Sequence, residues 1–193
     1  VYELRISDDF SQAPSLLAEG DRPGEWRIEQ VPTAATYRME VWPNRIAWSL
    51  LKSTESGPHR LQASGTVASH TPGGFIGLVG RYQEDDSFYL FVVDGQGQYQ
   101  IMLQKDGEVS VLKPWAEAAY LNSAGTANIL ALEDDGESLR FYGNNMLLFE
   151  EATAQLMPGT IGLVGGAQEQ GVAEMRFDWI QLYDLVPNAA ALR

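Results

Sequence analysis

The chain has 193 residues, 45% of them hydrophobic and 20% charged, with 19 Gly and 9 Pro. That length suits one domain with a real core, and the balance excludes a disordered, collagen-like or coiled-coil chain. Asp and Glu number 26 against 13 Lys and Arg, a formal charge of −13, so phosphate backbones and anionic membranes are poor partners. Without cysteine there is no disulfide framework, thiolate zinc site or thiol nucleophile.

Residues 1–10 alternate apolar and polar and hold no basic stretch before an apolar run, so they do not read as a signal peptide. No stretch approaches the roughly 18 apolar residues of a membrane span. A first residue of Val rather than Met reads as a piece of a longer protein. Residues 14–19 are a short helix candidate. Residues 37–41 alternate, 42–45 read as a turn, and 46–50 alternate again. Segments 74–82, 87–94, 98–104 and 109–112 then predict a meander of four strands joined by hairpin-length turns. Residues 115–121, just after Pro114, are a second short helix candidate. Further strands are expected at 127–133, 138–142, 146–149, 159–165 and 172–183. A dominant period of two, with no long helical window, predicts an all-β sandwich or barrel spanning residues 2–186 as a single domain. Residues 187–193 read as a C-terminal tail or linker. Residues 74–80 and 159–165 agree at six of seven positions (GFIGLVG and GTIGLVG). They read as two strands with similar glycine-permitted packing, facing each other across the core.

The order of several motifs is more specific than any one of them. They are Asp8-Asp9-Phe10, Trp26, Tyr37-Arg38-Met39, Ala47-Trp48-Ser49, Gly77-Leu78-Val79-Gly80-Arg81-Tyr82 and Asp85-Asp86-Ser87-Phe88-Tyr89. Gly97-Gln98-Tyr99, Trp115, Asn128, residues 139–142, Gly159 to Leu163 and Phe177-Asp178 complete the series. Taken in order, they resemble the bacterial concanavalin A-like lectin and glucanase jelly rolls, the group that includes LamG-like and 3-keto-disaccharide hydrolase-like domains. The resemblance implies two antiparallel sheets of six or seven strands, one concave, with the first and last strands adjacent. It also implies a module of an exported or membrane-anchored bacterial protein, and hence an extracytoplasmic setting beside other domains. A structural calcium near the joined termini is implied as well, with Asp8, Asp9 and Asp178 as its ligands and Asp85 and Asp86 as a second possibility. The simpler account of these acids is a set of solvated turn residues.

Chemistry is sparse. His59 and His70 lie in polar, turn-like sequence and read as exposed loop histidines, and no serine sits in a G-x-S-x-G elbow. Glycoside cleavage needs two carboxylates flanking one bond, and glucanases of this fold set theirs at alternate positions of one strand. No such run occurs here. The acidic clusters 84–86, 133–135 and 150–151 all read as turns. Trp48, Arg81, Tyr82, Tyr89, Tyr99 and Trp115 make the best binding set, because sugars stack their C–H faces on Trp and Tyr while Arg and amides hold hydroxyls. Pairing of Tyr82 with Tyr89 across the 83–87 turn would put both rings on one face and Arg81 on the other. The alternative is that these rings fill the core and that Arg81 is paired to a carboxylate. The reading is therefore a non-catalytic glycan-binding module using a concave groove. A hydrolase of a sugar derivative and a purely structural or protein-interaction sandwich stand as the alternatives.

Overall fold

The structure, a computed structural model, describes residues 1–52, 57–71, 73–169 and 171–186; the expected tail at 187–193 lies outside them. The strands of the first half are β1 (Tyr2–Asp8), β2 (Gly20–Arg22), β3 (Trp26–Val31), β4 (Thr36–Val41), β5 (Arg45–Leu50), β6 (His59–Val67) and β7 (Gly74–Tyr82). Those of the second half are β8 (Phe88–Asp94), β9 (Gln98–Lys105), β10 (Glu108–Glu117), β11 (Asn128–Asp134), β12 (Leu139–Gly143), β13 (Met146–Glu151), β14 (Thr160–Ala167) and β15 (Ala173–Leu185). One 3₁₀ turn, Pro32–Ala34, is the sole helical element among the described residues. Both helix candidates are thus corrected. The first is irregular chain that touches β5's end through a Leu17–Leu51 bridge, and the second begins inside β10.

The strands form two antiparallel sheets. One has six strands in the order β10-β9-β8-β7-β14-β5. The other has nine, β13-β12-β11-β6-β15-β4-β3-β2, with β1 also paired to β15. β15 is long enough to carry β4 along Ala173 to Phe177 and β1 along Ile180 to Leu185 on one edge, so the first and last strands are adjacent. This is the two-sheet jelly-roll sandwich. The predicted meander is β7 to β10, in unbroken order and closed by tight turns. At the β9–β10 turn Asp106 and Gly107 both take positive φ, 53° and 80°, as the twist of a two-residue hairpin requires.

The core follows from alternation. On β8, Tyr89, Phe91 and Val93 point between the sheets, as do Tyr99, Ile101 and Leu103 on β9. They meet Met39, Leu61, Leu132, Phe141, Met175 and Phe177 from the nine-stranded sheet, and the Phe91 and Phe141 rings sit 5.6 Å apart. The two similar glycine-rich segments do not face each other across this core. They are β7 and β14, hydrogen-bonded neighbours in one sheet, with Leu163 opposite Leu78 and Val164 opposite Gly77. Glycine here serves close lateral packing. A Cβ on Gly166 would stand 2.0 Å from Phe75 Cζ, so only glycine lets that ring lie across β14.

Candidate functional site

The two outer faces of the sandwich differ in chemistry. The nine-stranded sheet presents paired charges: Arg38 with Glu29 and Glu40, Arg60 with Glu133, Arg140 with Glu133, Asp135 and Glu150, and Arg176 with Glu174. Arg60 also lies against the Tyr142 and Tyr2 rings, 4.7 and 5.6 Å from their centroids, and Tyr2 donates to Glu133. A groove of about 540 Å³ on this side is lined by Glu29, Gln30, Thr36, Arg38 and Arg176. Its guanidiniums are already neutralised by neighbouring carboxylates.

The six-stranded sheet is apolar on its outside as well as its inside. β8 is buried at all seven positions, although only every second residue can reach the inter-sheet core. Its outward residues Phe88, Leu90 and Val92 form a second cluster with Val79 and Val164. Half-buried Ile46, Trp48, Leu50, Phe75, Tyr82, Met102 and Trp115 pack against this cluster and roof it. Each aliphatic side chain so covered contributes ~1.5–3 kcal/mol. Trp48, Tyr82 and Phe88 form one aromatic group, with Tyr82 stacked on Phe88 at 5.7 Å and 11°, and Trp48 at 5.2 Å from Phe88 and 6.3 Å from Tyr82. The Tyr82 hydroxyl donates to Asp86 in the adjoining turn, and that bond together with burial pushes its pKa up to about 12. The outward polar residues of β9 are Gln98, Gln100 and Gln104. Asp94, the outward acid ending β8, is buried and accepts the Gln96 and Gln98 N–H groups.

The six residues singled out from sequence therefore divide. Trp48, Tyr82 and Trp115 share the outer face. Tyr89 and Tyr99 belong to the inter-sheet core, where the Tyr89 hydroxyl accepts the Gln155 N–H and that of Tyr99 donates to the Leu148 carbonyl. The suggested Tyr82–Tyr89 pairing gives way to a different register, with Tyr89 opposite Gly80. The cause is Arg81. It takes a positive φ of 50°, the β7–β14 ladder shifts beside it, and its side chain turns inward. There it meets Asp134 of β11 through two 2.7 Å hydrogen bonds and also donates to the Leu156 carbonyl. Arg81 joins the two sheets in a buried ion pair and is not available to a surface ligand, so the ligand role expected of Arg81, Tyr89 and Tyr99 is replaced by a structural one.

Asp134 is likewise a buried strand residue and not a turn acid, and Glu150 and Glu151 lie within β13. His59 is corrected too: it stands on β6 at 1% exposure, with Nδ1 2.9 Å from the Gly57 carbonyl and Nε2 without a partner. Burial lowers its pKa. His70 is exposed, 3.8 Å from Glu174. The three acids expected at a calcium site are each occupied locally. Asp8 accepts from Phe10 N–H, Ser15 and Leu16 N–H, Asp9 from Ser11, and Asp178 from the Ser64 hydroxyl. Among the described residues no group of three or more His, Asp or Glu is gathered as a metal would need.

No protein-family model and no curated protein sequence matches the chain. Solved structures do. The chain is similar to the carbohydrate binding module CBM66 from Bacillus subtilis, with 17% identity and a TM-score of 0.58 over 72% of this chain and 83% of that one. It is similar to a Bacillus licheniformis β-glucanase, with 11% identity and a TM-score of 0.65 over 94% and 98%. A prokaryotic β-1,3-1,4-glucanase (lichenase) from a mouse hindgut metagenome gives 12%, 0.65, 94% and 99%. At such identities the likeness establishes the concanavalin A-like jelly-roll fold alone. No helix among the described residues is long and apolar enough to cross a membrane.

Proposed function

We propose that the chain is a non-catalytic glycan-binding module and that its ligand lies on the outer face of the six-stranded sheet. One observation carries the reading: Trp48, Tyr82 and Trp115 are half-buried on a sheet face whose central outward positions, on β5, β7 and β8 from Phe88 to Val92, are apolar or glycine, with glutamines beside them on β9. Rigid rings held by a packed layer beneath them offer C–H stacking at little entropic cost. Outward residues of β8 are Phe88, Leu90, Val92 and Asp94, and Asp94 is engaged by the Gln96 and Gln98 N–H groups, where a hydrolytic site would need a free facing acid and base. The glycan-related names of the similar structures favour a sugar over other apolar ligands, and an extracytoplasmic module of a larger protein, LamG-like in kind, is the setting that agrees with this role.

A second reading, a protein-docking face, is favoured by Val109 and Val111. They are 61% and 52% exposed, stand opposite Gln104 and Met102, and continue the apolar face to the sheet edge. A glycan microarray of the purified domain separates the two, run with the Trp48→Ala and Trp115→Ala variants and repeated with a calcium chelator. Selective hits lost by at least tenfold in both variants, with the fold retained by circular dichroism although the melting temperature falls as the roof over Phe88, Leu90 and Val92 is removed, are the expected result. A blank array with a domain that pulls down a protein partner through the same face would reverse the assignment. Loss of the hits in chelator would bring the acids Asp8, Asp9 and Asp178 back as metal ligands.

A further inference from the structure

The apolar face holds two aromatic stations rather than one. The Trp48–Tyr82–Phe88 group stands where β8 begins. Trp115 stands elsewhere. On β10 the register slips between Lys113, opposite Ile101, and Ala116, opposite Tyr99, which leaves Trp115 beside Gln100. Gln100 in turn is opposite Val92, four residues along β8 from Phe88. With ~3.3 Å per residue along a strand and ~4.8 Å between strands, Trp115 starts about 16 Å from Phe88, diagonally across the sheet. A single pyranose ring cannot touch both.

Gln100 is the polar group of the second station. Its outward amide has no hydrogen-bond partner among the described residues, while Gln104 is spent on the Asp86 carbonyl. This half-exposed amide between Val92 and Trp115 is bound to no other described side chain and can exchange its water for a ligand hydroxyl. Charge restricts the ligand further. The outward positions of β5, β7 and β14 carry none, the turn beside Tyr82 is acidic through Glu84, Asp85 and Asp86, and the whole chain stands at −13. Uronate or sulfate groups would be repelled by these acids.

Resting on the glycan reading above, we propose that the ligand is an uncharged glycan chain bound along its length, touching Trp48–Tyr82 at one end and Trp115–Gln100 at the other. The test is affinity electrophoresis through gels containing laminarin, barley mixed-linkage glucan, xylan, levan or polygalacturonate, at low and high salt. Titration calorimetry follows, with oligosaccharides of increasing length from the polymer that retains the domain. Retention by a neutral polymer, insensitive to salt, is expected. Affinity should climb with chain length until both stations are covered. Gln100→Ala and Trp115→Phe should weaken the long oligosaccharides about tenfold, leave the shortest unchanged and keep the melting temperature. Preference for polygalacturonate, a monosaccharide binding as tightly as the long chains, or a Gln100→Ala variant with unaltered affinity would overturn this proposal and leave the glycan reading standing. No retention on any polymer would overturn both.

Discussion

Arg81 is where a surface expectation met a buried fact. A guanidinium and a carboxylate that are each 3% exposed, joined by two hydrogen bonds, stay folded only as a pair. Removing one partner strands the other charge, so Arg81→Ala or Asp134→Ala should each cost ~3–5 kcal/mol in chemical denaturation. The double variant Arg81→Met with Asp134→Leu should recover most of that, because both desolvated charges leave together. His59 gives a pH signature at the same scale. It is buried near Asp134, Arg81 and Arg5, opposite Asp184 in the ladder, and burial holds its pKa below the ordinary 6.5. The unfolded chain therefore takes up the proton first. Stability should be complete above pH 6.5 and fall as pH drops through the folded-state value, and His59→Gln should flatten that slope in denaturation midpoints. Asp135 acts lower on the scale. Hydrogen bonds from Ser138 and Glu137 hold it at about 2 against an ordinary 3.8, so its contribution is lost only as pH falls between those values.

Among the elements, β8 explains the molecule best. Its run Phe88-Tyr89-Leu90-Phe91-Val92-Val93 does not alternate, which in an antiparallel sheet means apolar cover on both sides. That lack of alternation was the signal in the sequence for the aromatic outer face. The expectation of a ligand groove drew instead on residue types, and so mixed core rings with surface ones. β7 and β14 supply the glycines that let the cover lie flat. Gly166→Val would drive a side chain into the Phe75 ring and should lower stability by ~1–3 kcal/mol, read as a fall in the denaturation midpoint at constant slope. An unchanged midpoint would mean that Phe75 is not held across β14. β10 could not be read correctly because Pro114 resembles a helix start. An edge strand tolerates proline, and two register slips carry Trp115 onward as strand.

For the molecule as a whole, the local hairpins are joined into sheets by strands distant in sequence: β1 with β15, β4 with β15, β6 with both β11 and β15, β14 with both β5 and β7. Closing such loops precedes any reward from contacts, so refolding should be slow, on the order of milliseconds to seconds, in stopped-flow fluorescence of the five tryptophans. A microsecond phase carrying the full amplitude would contradict this topology. The asymmetry between faces also belongs to the whole. Paired charges keep the nine-stranded face solvated, while the six-stranded face is left apolar.

From the sequence alone came the period of two, the turns and the four-strand meander, because side-chain alternation and positive-φ turn residues are local properties. The jelly-roll class followed from them together with the order of motifs. Which way Arg81 points, whether His59 is wet, and whether the two glycine-rich strands oppose or adjoin were decided only in three dimensions. A bulge at one residue reverses the face of everything after it, and local pattern does not report where a ladder slips. Trp48, Tyr82 and Trp115, which lie on strands β5, β7 and β10, become one face only because the sheet order brings those strands into a single layer.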